Sequence, residues 1–282
     1  KGRLDVQVPD VIVEYLRASS PKSLNGIVNN TESTGDSWQN YAWRWALCHL
    51  LEHNPNYKAR FRPLGIALLT ERADLHPSKK TTFEKVYGGV ADEISFEYLL
   101  FLQHVANGYR ADLCSWDWKR KFLGLTGRAT LAARIRADRG WQPSGVIVAA
   151  GQSYQYTAAG TWMLASDGPA TTAYGAEPDD ESSGDEGGRQ AERSLADLLG
   201  EPPIERPGRL LGVVLTEREL PPGEQVRDPS QLKYQLGEPF ELGASGTFTA
   251  PAAGRLYLRA ADAWSRLADN KGQVTVRIKL AK

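Results

Sequence analysis

The chain is 282 residues long, 41% hydrophobic and 24% charged, with 34 Lys plus Arg set against 34 Asp plus Glu and a formal net charge of +0. That length fits two domains better than one and can bury a core without covalent staples. The balanced charge argues against a nucleic-acid binder, and no apolar run approaches the ~20 residues of a bilayer-spanning helix.

Glycine and proline divide the chain in two. Residues 1–122 hold seven of the 27 Gly and five of the 16 Pro, together with all four His and both Cys. This half reads as helices. Pro9–Ala18 follows a pattern of apolar positions behind Asp10, a candidate cap, and Ser23–Asn29 is a short helix. Trp38–His53 is a strong helix stopped by Asn54-Pro55. Tyr57–Glu71 follows, with Pro63 early in it. Thr81 and Glu84 have capping-box spacing, and Glu93–Asn107 places Ile94, Tyr98, Phe101, Leu102 and Val105 at helical intervals. The aromatic set Trp38, Tyr41, Trp43 and Trp45 is expected in the core at that spacing, rather than forming a stacking platform. Cys48 and Cys114 are either bridged or two buried thiols in helices.

From residue 123 the punctuation changes to short strands between Gly, Pro and Asp turns. Strand-sized segments are Ala129–Ile135, Gly145–Ala150, Gln152–Thr157, Thr161–Leu164, Leu210–Thr216, Phe240–Leu242, Gly246–Thr249, Arg255–Ala260 and Val274–Leu280. The last alternates apolar and polar residues, and so many short strands imply a sandwich or barrel. An acidic insertion, 175–207, carries Asp179, Asp180, Glu181, Asp185 and Glu186, with a short helix expected at Glu192–Leu199. The fold class is thus multidomain α+β. An all-α domain spans 1–122, a linker 123–127, and a β-sandwich domain of jelly-roll type 128–282.

Two clusters carry chemistry. His49, Glu52 and His53 have the HxxEH spacing of inverted zincins, in which two imidazoles one helical turn apart share a zinc and the carboxylate is the base. A third ligand would be required, and Glu71, Glu84, Glu93 and Glu97 are all available. The alternative is a packing helix whose histidines lie near its C-terminus. The second cluster is Asp262, Asp269 and Asn270, two carboxylates and an amide within nine positions between two strands. Hard oxygen ligands of this kind suit calcium, with main-chain carbonyls near Leu267 completing the set. The alternative is a hairpin loop in which Asp and Asn cap turns.

Segments in this half, Gly145–Val148 with Gly151-Gln152, Ala158–Trp162, Gly208–Val214, Gly243–Pro251, Gly254–Leu258 and Asp269–Gly272, occur in the order found in a known family. The region about 128–282 resembles the calcium-dependent galactose-binding bacterial lectins of the PA-I type. The resemblance implies a lectin-like sandwich in which Asp262, Asp269 and Asn270 hold calcium and the sugar hydroxyls share that ion, with Asp262 and Asn270 as the carbohydrate-binding residues. It also implies a secreted protein, extracellular or periplasmic, whose partner is a carbohydrate or cell-envelope glycan. The chain departs from the family in the loop Asp167–Gly188, which contains no His to touch a sugar.

Trp38–Leu51, Tyr57–Phe61, Phe83–Gly88 and the helix over Glu97–Leu102 resemble the C-terminal part of a planctomycete family of unknown function related to gluzincin peptidases. That family carries an HExxH helix upstream of these segments. None occurs here, and its expected position falls before Lys1. No signal-peptide pattern opens the chain, and the expectation is a processed, truncated or internally started polypeptide. The alternatives to a lectin-like module are therefore a fragment of a zinc metallopeptidase and a ligand-free docking subunit of a larger assembly. No nucleic-acid partner and no membrane span are expected, and the chain itself is expected not to be an enzyme.

Overall fold

The structure, a computed structural model, describes residues 10–29, 37–71, 79–176, 206–219 and 232–281. By internal contacts the chain forms two units, Lys1–Trp116 with Glu217–Gln235, and Asp117–Thr216 with Leu236–Lys282. A helical N-terminal region is followed by a sheet-rich region with two sheets, the α+β organisation read from the sequence. Both the helix expected at Glu192–Leu199 and most of the acidic insertion lie outside the described residues.

The first unit contains α1 (Asp10–Ala18), α2 (Leu24–Asn29), α3 (Ser37–His53), α4 (Lys58–Glu71), α5 (Lys79–Tyr87) and α6 (Ala91–His104), with a 3₁₀ turn at Gly88–Val90. Helix α2 is capped by Ser23, whose Oγ accepts from the Gly26 N–H at 3.0 Å. Helix α5 begins at Lys79, so Thr81 lies inside the helix rather than at the cap its spacing to Glu84 suggests. At the end of α3, Asn54 closes the last turn on Leu50 and its Oδ1 accepts from the Asn56 N–H at 2.9 Å, while Pro55 bars continuation.

Helix α6 is buried almost all round, through Ile94, Phe96, Glu97, Tyr98, Leu100, Phe101 and Leu102. Each large apolar side chain among these contributes about 1.5–3 kcal/mol by leaving water, whereas the Glu97 carboxylate is buried only because donors surround it. Of the aromatic set on α3, Trp43 is fully buried and donates its indole N–H to Tyr15 Oη at 3.1 Å. Trp38 and Tyr41, expected in the core, are 45% and 66% exposed. The buried stripe is Ala42, Trp43, Ala46, Leu47 and Leu50, and Trp38 and Tyr41 fall off it. Cys48 and Cys114 form no disulfide; Cys114 is buried as expected of an unbridged thiol, but Cys48 is exposed because it lies off the buried stripe of α3.

The sheet-rich region has β1 (Leu123–Gly124), β2 (Thr130–Arg136), β3 (Gln142–Val148), β4 (Ser153–Met163), β5 (Leu210–Glu217), β6 (Tyr234–Leu236), β7 (Phe240–Glu241), β8 (Ser245–Thr249), β9 (Gly254–Ala260) and β10 (Lys271–Leu280). One sheet runs β2-β10-β4-β8. The other runs β1-β3-β9-β5-β6, with β7 also on β5. Alternate residues of both sheets, including Ile135, Tyr156, Val274, Val276 and Ile278 from one and Val146, Val148, Leu210, Leu256 and Leu258 from the other, form a single apolar cluster.

Two departures from the sequence reading are instructive. The segments Gln152–Thr157 and Thr161–Leu164 are one strand, β4, in register with β10 from Tyr154 to Met163. Gly160 carries the ladder through at φ +122, where a Cβ would lie 2.6 Å from the Gln273 carbonyl. Strand β3 begins at Gln142 and passes Pro143 through a register shift between Pro143 and Ile147. There Ser144 Oγ donates to the Leu256 carbonyl at 2.7 Å and accepts from the Val146 N–H at 3.0 Å, replacing ladder bonds that the irregularity removes.

Candidate functional site

The site lies between the end of β9 and the start of β10. After Ala260 the chain passes through Asp262, the buried Trp264 and a 3₁₀ turn, Leu267–Asp269, to reach Asn270. Asn270 is only 5% exposed. Its Nδ2 donates to Asp262 Oδ2 at 2.7 Å and to the Ala137 carbonyl at 3.2 Å. Asp262 Oδ1 accepts from the Ala263 N–H at 2.8 Å. Asn270 Oδ1 is buried and has no hydrogen-bond partner. A carboxylate oxygen and a main-chain oxygen therefore converge on one amide group, and the amide oxygen is left over.

The backbone around this point is tightly held. Ala137 donates its N–H to the Gly272 carbonyl at 3.1 Å, clamping the β2–β3 turn to the first residues of β10. Gly272 has φ +86, and a Cβ there would stand 2.6 Å from the Thr161 carbonyl oxygen, so only glycine lets the chain leave Asn270 this way. Arg259 is buried on β9, its guanidinium 4.0 Å from the Trp264 ring centroid and 5.6 Å from that of Trp141. It donates to the main-chain oxygen of Asp262, and its Nε donates to the Ala260 carbonyl at 3.0 Å. Burial pushes the Asp262 carboxyl above its ordinary pKa, against the bonds from Asn270 and Ala263 and the charges of Arg259 and Arg266.

Of the three residues singled out in the sequence, Asp262 and Asn270 are thus joined. Asp269 is exposed at the end of the 3₁₀ turn and no hydrogen bond links its carboxylate to the pair. Sequence reading missed the Ala137 carbonyl and Arg259. Nothing in the spacing marks a main-chain oxygen more than a hundred residues away, whereas Arg259 is the one charged residue in an otherwise apolar stretch, Leu256–Ala261.

In the first unit, His49 and His53 have ring centroids 4.5 Å apart. His49 is buried and stacks on Trp45 at 5.4 Å and on Phe101 at 5.7 Å, while Glu52 is exposed. Its Nε2 has no hydrogen-bond partner, and burial, then the neighbouring His53, lowers its pKa to about 4. Among the described residues no group of three or more His, Cys, Asp or Glu side chains is arranged to hold a metal ion. Glu97, a candidate third ligand, is engaged otherwise. Its Oε1 accepts from Tyr57 Oη at 2.6 Å and Asn56 Nδ2 at 3.0 Å, and its Oε2 from Asn54 Nδ2 at 2.5 Å and the Trp116 N–H at 3.0 Å. This carboxylate organises the α3–α4 turn, α6 and the segment at Trp116.

No protein-family model matches the chain, and no curated protein does. Among solved structures, a chain described as "EclA N-terminal domain; PllA-like lectin" is similar over 54% of this chain and 96% of its own length, with 17% identity and a TM-score of 0.34. Among the described residues, no helix is long and apolar enough to cross a membrane.

Proposed function

We propose that the second unit is a calcium-dependent carbohydrate-binding module, a lectin-like β-sandwich that attaches a secreted bacterial protein to a glycan or the cell envelope. One observation carries this reading: the Asp262 carboxylate, the Asn270 amide and the Ala137 carbonyl meet at one buried point. The Asn270 amide nitrogen lies 2.7 Å from the Asp262 carboxylate and 3.2 Å from the Ala137 carbonyl, and an amide turned over would bring its oxygen to that place, within the reach of a ligand set that holds calcium at about 2.3–2.6 Å.

The donor set also fits in its chemistry. The partnerless Oδ1 of Asn270 is an acceptor that a cation would satisfy once the amide turns over. Asp262 is a carboxylate whose burial penalises its charge, and a bound cation relieves that penalty. Asp262, Asn270 and the Ala137 carbonyl would hold the ion, with Asp269 supplying a further oxygen from the exposed turn. Calcium at this place supplies a hard positive centre that accepts neighbouring sugar hydroxyls as ligands. Arg259 already binds the main-chain oxygen of Asp262 and adds a positive charge nearby. Affinity is accordingly weak, about 10⁻⁴–10⁻³ M, which suits an extracellular or periplasmic setting.

A glycan array probed in millimolar calcium and again in chelator tests the reading. The expected result is binding in calcium that chelator removes. Equal signal in both conditions overturns the calcium role, and no signal in either overturns the carbohydrate role.

A further inference from the structure

Among the described residues of the second unit, Tyr174 is the exposed aromatic side chain, at 56%. Its position is rigid. Thr171 exchanges main-chain bonds with Trp162 at 2.8 and 2.9 Å, Leu210 donates to the Ala173 carbonyl at 2.9 Å, and Tyr174 forms an antiparallel bridge with Arg209. One side of the ring is backed by Gly243, where a Cβ would be 3.6 Å from the ring. Beside it Arg209 Nη1 and Glu241 Oε2 form an ion pair at 2.8 Å, with side chains 23% and 46% exposed.

We infer that Tyr174, Arg209 and Glu241 form a second sugar-contact subsite, which takes a pyranose ring with its C–H face on Tyr174 and its hydroxyls on the ion pair. The inference rests on the carbohydrate reading of this unit. An exposed aromatic ring offers an apolar face to the C–H side of a sugar, and the ion pair beside it offers polar partners for the hydroxyls. Arg209 offers donors and Glu241 acceptors, and a hydroxyl can use both. The place is related to the first site through the sheet. Ala261 donates to the Arg209 carbonyl at 2.7 Å, and Gly208 donates to the Ala261 carbonyl at 2.7 Å, so Arg209 lies opposite the residue before Asp262. Tyr174 is then two strand spacings away, about 10 Å. A glycan of two or more rings spans that interval, and a monosaccharide does not.

The test measures binding of galactose-, glucose- and mannose-terminated oligosaccharides and their parent monosaccharides, in calcium, to the full chain and to Tyr174→Ala, Tyr174→Phe and Asp262→Asn. The expected result is that Tyr174→Ala weakens oligosaccharide binding about threefold to tenfold, leaves monosaccharide binding unchanged and is rescued by Tyr174→Phe. The calcium-induced rise in melting temperature stays intact in Tyr174→Ala and is lost in Asp262→Asn. Oligosaccharide binding by Tyr174→Ala equal to that of the parent overturns the subsite alone. A parent chain that binds no sugar overturns the carbohydrate reading and the subsite with it.

Discussion

Asn270 donates its amide to Asp262 across 2.7 Å and keeps its own oxygen buried without a partner. An amide in this position spans two acceptors, the Asp262 carboxylate and the Ala137 carbonyl, and does by hydrogen bonding what an ion does by charge. On the proposed calcium reading, a cation would take the place of those two N–H donors.

Calcium at a hundredfold excess over its dissociation constant should stabilise the chain by about 2.7 kcal/mol. Asp262→Ala and Asp269→Ala should each abolish the calcium-dependent rise in Tm. Scanning calorimetry with calcium and with chelator checks this. A rise that survives both substitutions places the ion elsewhere.

Gly272→Ala should be strongly destabilising, because a Cβ meets the Thr161 oxygen at 2.6 Å and the residue has φ +86. The penalty is about 2–4 kcal/mol, read as a shift in the urea midpoint at unchanged slope. The same substitution displaces Asn270 and should weaken calcium binding.

Glu97→Gln should destabilise the first unit by about 2–4 kcal/mol. Each oxygen of Glu97 receives two donors. A glutamine keeps one acceptor and turns an N–H₂ group toward the other two donors. Chemical denaturation followed by tryptophan fluorescence measures the loss, and a midpoint within error of the parent would remove Glu97 from this role.

His49 makes the first unit acid-sensitive. Its pKa, about 4 when folded, lies below the ordinary 6.5. Between those values the unfolded chain holds the proton and the folded chain does not. Stability from neutral His49 is complete above pH 6.5 and is lost as pH falls toward 4, by at most about 3 kcal/mol. Urea midpoints at pH 7 and 4.5 should therefore differ less in His49→Gln than in the parent chain.

Much of the fold could be read from local pattern. The alternation in Val274–Leu280 and the helical spacing of Ile94, Tyr98 and Phe101 directly mark buried faces, and Asn54-Pro55 marks a helix end. Features that depend on distant partners could not be read this way. The donors to Glu97 come from α4's approach and from Trp116, far apart along the chain. Pro143 inside a strand reads as a break until Ser144 is seen replacing ladder bonds. Asp262 and Asn270 stand out because oxygen-bearing side chains cluster in one loop, whereas Ala137 and Tyr174 gain meaning only from the register that brings strands together.

Strand β10 lies between β2 and β4 and joins residues 130–136 and 154–163 to 271–280. During translation, β2 and β4 leave the ribosome long before the strand that separates them, and until it arrives both present unpaired edges. Such non-local closure is slow. The second unit accordingly spends its early life exposed to intermolecular pairing, and its yield on expression should depend on chaperone capacity and synthesis rate more than on its final stability.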